Sequence, residues 1–85
     1  MKLEHVACYV KDLEGMKAFY MKYFNAIPNE KYHNPRTGLM TYFLTFEEGA
    51  RLEIMSRPDM QDINKTLMQS GFIHIAFQLG TKEKV

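Results

Sequence analysis

With 85 residues, 46% of them hydrophobic and 25% charged, the chain has the composition of one soluble globular domain, not of a disordered or membrane-spanning segment. Its formal net charge of +1 comes from interleaved signs, with no basic block to track a phosphate backbone or an anionic bilayer, so neither nucleic acid nor membrane is an expected partner. The opening Met1-Lys2-Leu3-Glu4-His5 lacks the apolar run of a secretion signal, and no stretch approaches the roughly 20 apolar residues of a membrane span, which predicts a cytoplasmic protein.

Residues 3–10, LEHVACYV, alternate in near-regular fashion and predict a first strand, with Val6, Cys8 and Val10 on one face and His5, Ala7 and Tyr9 on the other. Cys8, the lone cysteine, forms no internal disulfide and reads as a packing residue. Asp12 suits an N-cap, Glu14 suits the first-turn dipole, and Leu13, Met16, Phe19, Tyr20, Tyr23 and Phe24 recur at helical spacing, predicting an amphipathic helix over 13–24. Asn25 fits a left-handed C-cap, and Pro28 keeps the helix from restarting. A short edge strand is expected over 29–33, then a turn marked by Asn34-Pro35 and Gly38. LMTYFLTF (39–46) and ARLEIM (50–55) predict two antiparallel strands joined by a hairpin turn at Glu47-Glu48-Gly49. Residues 56–71 are polar, with Ile63, Leu67 and Met68 at loose helical spacing, and read as a linker holding a short helix. FIHIAFQL (72–79) predicts a last strand.

The first and last of these strands resemble each other. Laid in register, LEHVACYV and FIHIAFQL match His5 with His74, Val6 with Ile75, Ala7 with Ala76 and Val10 with Leu79. Such self-similarity marks a duplicated supersecondary unit, of which the second copy has only begun. The chain therefore divides into a first module, 1–71 with its linker at 56–71, and the opening strand of a second, truncated module at 72–85. A chain this small buries only roughly 60 to 65% of its unfolded surface. It is expected to be a fragment, or, if complete, to dimerise so that the last strand completes a partner's sheet.

Three strands each carry an ionisable residue on the face opposite their aliphatic one: His5 in the first, Glu53 in the strand over 50–55, and His74 in the last. If those faces line one concave sheet, two imidazoles and a carboxylate converge. That is the ligand set of open catalytic zinc and non-haem iron sites. Taken singly, each of these residues would read as a half-exposed strand residue; their joint placement is the signal. His33, beside Asn34-Pro35 in a turn, reads as surface chemistry and stays outside the set.

The order of these features resembles the vicinal-oxygen-chelate superfamily, which includes glyoxalase I, bleomycin-resistance proteins and extradiol dioxygenases. The resemblance runs through His5, then Val10, Asp12 and Leu13 at the helix start, Phe19-Tyr20 within it, Leu52-Glu53-Ile54, and His74-Ile75-Ala76-Phe77. It implies an α+β fold, a βαβββ module followed by the first strand of a second, cupped around a divalent metal that chelates vicinal substrate oxygens. His5, Glu53 and His74 fall on three of the four ligand positions of the glyoxalase branch; the fourth, a late carboxylate, has no counterpart here. Asn25 replaces the glycine usual after the helix. The implied function is a metal-dependent glyoxalase-like lyase or isomerase of lactoylglutathione-lyase type, with Glu53 as catalytic carboxylate and nickel or zinc, or else iron or manganese, as the ion. A small molecule with vicinal oxygens is the expected substrate. The alternatives are a metal-free ligand-sequestering protein of bleomycin-resistance type and an iron-dependent dioxygenase.

Overall fold

The computed structural model describes residues 1–61 and Phe77. In chain order the elements are β1 (His5–Tyr9), α1 (Leu13–Phe24), β2 (Ile27–Pro28), β3 (Tyr32–Asn34), β4 (Leu39–Thr45) and β5 (Arg51–Ser56). The strands form one mixed sheet in the order β1-β5-β4-β2, with β3 also on β4. Because β2 and β3 share one side of β4, they occupy a single strand position, and the whole is the α+β, βαβββ arrangement expected from the sequence. β1 runs parallel to β5, the pairing that requires a crossover connection. That crossover begins with α1.

The helix spans the predicted residues because both ends are fixed by side chains or backbone. The Asp12 carboxylate accepts from the Gly15 amide at 2.9 Å, and Glu14 adds negative charge in the first turn. A Cβ at Gly15 would press on that carboxylate and oblige it to shift. Asn25 closes the helix in the left-handed conformation at φ 57°, its amide donating to the Tyr20 carbonyl.

α1 packs on one face of the sheet. Leu13, Ala26, Tyr42, Leu44, Leu52 and Ile54 form the buried core, with Val6, Cys8, Val10, Met16 and Tyr20 against it. Leu44 and Ile54 are wholly excluded from solvent, which contributes about 1.5 to 3 kcal/mol apiece in transfer free energy. The predicted face of β1 is thus the packed one.

The edge strand expected over 29–33 is instead split. β2 pairs Ile27 with Thr45 and Pro28 with Leu44, whereas β3 pairs Tyr32 with Thr41, a register displaced by one residue. The extra residue falls between Asn29 and Tyr32; Asn29 still keeps the β2 register, its amide donating to the Phe43 carbonyl while its side-chain oxygen accepts from the Phe43 amide. Pro28 is tolerated because β2 lies at the sheet's edge. The following turn is as expected: the Asn34 side chain accepts from the Arg36 amide, and Gly38 closes it at φ 77°, packed too close to Pro58 for any side chain. The hairpin strands β4 and β5 are antiparallel, but β5 begins at Arg51 and takes in Ser56, which the sequence reading assigned to the linker. The rest of the linker from 62 onward, its expected short helix and the last strand with His74 lie outside the described residues, apart from Phe77. No helix among the described residues is long and apolar enough to cross a membrane.

Candidate functional site

Strand alternation builds a second face away from α1, on which β1 places His5, Ala7 and Tyr9, β5 places Arg51, Glu53 and Met55, and β4 places Phe43. Register sets His5 opposite Arg51, and sets Glu53 between Ala7 on one side and Phe43 on the other. His5 Nε2 stands 3.8 Å from Glu53 Oε1.

Two donors bound to one ion at about 2.0 to 2.2 Å sit roughly 3 to 4 Å from each other, so this pair has the spacing of shared coordination. An imidazole with a carboxylate is also a donor set that first-row divalent metals accept. His5 and Glu53 therefore fit the group that the sequence implies. Glu53 is largely covered, its side chain only 16% exposed, which leaves its carboxylate in need of a partner. Among the described residues no group of three His, Cys, Asp or Glu side chains is gathered closely enough to hold an ion. His74, the third expected ligand, lies outside those residues. His33 sits on β3, with β4 and β5 between it and β1, and is not part of the site.

Three further residues frame the pair. Phe43 meets the His5 ring edge-on, with centroids 5.0 Å apart and planes at 85°. The Arg51 guanidinium carbon lies 4.3 Å from the Phe43 centroid. Arg51 in turn donates from Nε and Nη2 to the two oxygens of Glu4, at 2.7 and 2.6 Å. Glu4 Oε1 lies 2.8 Å from His5 Nδ1. The Arg51 fork, and after it the His5 contact, hold the Glu4 carboxyl at about 2 against an ordinary 4.5. The same bond raises the Arg51 guanidinium above its ordinary value.

Sequence reasoning singled out His5 and Glu53, which the sheet brings to one face, but not Glu4 or Phe43. Alternation assigns Glu4 to the face opposite His5, yet Glu4 precedes β1 and its side chain is free to turn. The available signal was the row of charge that Arg51 supplies across from the strand's start.

A comparison with curated proteins gives no match. A family model described as Glyoxalase/Bleomycin resistance protein/Dioxygenase superfamily matches residues 2–85, nearly the whole chain. With a βαβββ sheet and an imidazole–carboxylate pair on the face that α1 leaves uncovered, this chain belongs to the glyoxalase/bleomycin-resistance/dioxygenase superfamily.

Proposed function

We propose that the protein performs metal-assisted proton transfer between adjacent carbons of a small substrate with vicinal oxygens, as a glyoxalase-like lyase or isomerase. The observation that carries this reading is the approach of His5 Nε2 to Glu53 Oε1 at 3.8 Å on the face away from the helix. These two residues would hold a divalent ion, nickel or zinc first, iron or manganese otherwise, with His74 as the third donor. Support for His74 comes from the sequence, where FIHIAFQL laid on LEHVACYV sets His74 in register with His5.

When bound, the ion supplies Lewis-acid polarisation of a substrate oxygen. Glu53 would help hold the ion, and its carboxylate takes the proton from one of the two adjacent oxygen-bearing carbons and returns it to the other. His5 would hold the ion beside Glu53, and Phe43 walls the site on the β4 side.

The test is thioester formation from the hemithioacetal of methylglyoxal, using the whole chain loaded in turn with nickel, zinc, iron or manganese. Turnover that disappears in Glu53→Gln and His5→Ala but survives in His33→Ala is the expected result. Absence of turnover with all four ions would replace this reading with the ligand-sequestering one, and oxygen uptake with a catechol would replace it with the dioxygenase.

A further inference from the structure

We infer that Glu4 is a positioning residue for the candidate centre, anchoring His5 through Nδ1 so that Nε2 is presented to Glu53. The inference rests on the metal-site reading above and adds to it a residue outside the ligand set. A carboxylate only accepts hydrogen bonds, so the 2.8 Å contact with Glu4 requires the proton on Nδ1, and in the neutral imidazole this leaves the Nε2 lone pair on the side of Glu53. An exposed carboxylate on its own would hold an imidazole weakly. Glu4, however, is gripped at both oxygens by Arg51, and Arg51 lies over Phe43, the ring that also meets His5 edge-on. The four side chains form a closed circuit, and His5 is fixed at its ring and at one nitrogen. Outer carboxylates of this kind set the tautomer and the orientation of metal-binding histidines.

Two readouts on the whole chain test the role. The first is the tautomer of His5 in the metal-free protein, from long-range proton–nitrogen correlation spectra at pH 8, assigned by the signals lost in His5→Asn. The second is zinc affinity by calorimetry. Wild type is expected to hold the Nδ1–H tautomer, Glu4→Ala to relax to a mixture, and Glu4→Gln, which keeps an acceptor, to fall between. Zinc affinity should weaken about tenfold in Glu4→Ala, the lower end of the range for outer-shell partners. Because Glu4 precedes β1 and its backbone carbonyl still accepts from the Arg51 amide, the variant retains the strand pairing. A wild-type His5 in the Nε2–H form, or protonated at both nitrogens, overturns the inference whatever zinc does. So does unchanged zinc affinity in Glu4→Ala. If the tautomer is as expected but wild type does not bind zinc, the metal reading fails while the anchoring of His5 stands.

Discussion

Tyr42 is 6% exposed, and its hydroxyl reaches out of the core to donate to both oxygens of Glu14, at 3.1 and 2.9 Å. Lys31 closes on the same carboxylate at 2.8 Å and Lys17 at 3.4 Å, with the Lys17 ammonium 4.7 Å above the Tyr42 ring. The Lys31 contact, then the Tyr42 hydroxyl, hold the Glu14 carboxyl at about 2, down from 4.5. A lowered folded-state value means that this stabilisation is complete above the unfolded value of 4.5 and is lost as pH falls from there toward 2. Urea midpoints should therefore drop more between pH 6 and pH 3 for wild type than for Glu14→Gln. The gap should narrow in 1 M salt, because the carboxylate is solvent-facing. Equal pH dependence in the two proteins would remove Glu14 from the account. None of this was legible in the sequence beyond Glu14 as a first-turn acid, because Lys31 arrives only through the displaced register of the edge strand. His5 and Glu53 were legible, since alternation within a strand is a local property.

At the scale of elements, α1 was read to the residue because its stop and start signals are chemical: an acceptor at Asp12 and a residue tolerant of positive φ at Asn25. Replacing Asn25 by alanine forces a Cβ-bearing residue without a compensating side chain into the left-handed region, and should cost about 1 kcal/mol in chemical denaturation. Asn25→Gly should be neutral or slightly stabilising. A protein indifferent to both changes would contradict the cap assignment. The edge strand was misread for a complementary reason. Apolar alternation cannot announce an inserted residue, and the pair of hydrogen bonds beside it, from the Asn29 amide to the Phe43 carbonyl and from the Phe43 amide to the Asn29 side-chain oxygen, joins segments that the sequence does not show to be neighbours. Secondary-structure periodicity gave the ladder of β4 and β5 but not the bulge beside it.

At the scale of the molecule, the candidate donors sit on β1 and β5, strands distant in the chain that meet only in the folded sheet. An ion held by His5 and Glu53 binds the folded chain and not the unfolded one, so zinc at a hundredfold excess over its dissociation constant should add about 2.7 kcal/mol to stability. A rise in Tm with zinc that vanishes in His5→Ala and Glu53→Gln is the expected outcome; an equal rise in all three proteins would indicate binding elsewhere. The parallel register of β1 on β5 carries a kinetic consequence. The helix and the β4–β5 hairpin close through short loops, whereas β1 docks only after the entire intervening chain has been brought round, and long loop closures come late. An interaction absent from the folding barrier acts on escape from the native state. Zinc should therefore slow unfolding in stopped-flow measurements and leave the refolding rate nearly unchanged, so that a loaded molecule is distinguished by its lifetime more than by the speed at which it forms.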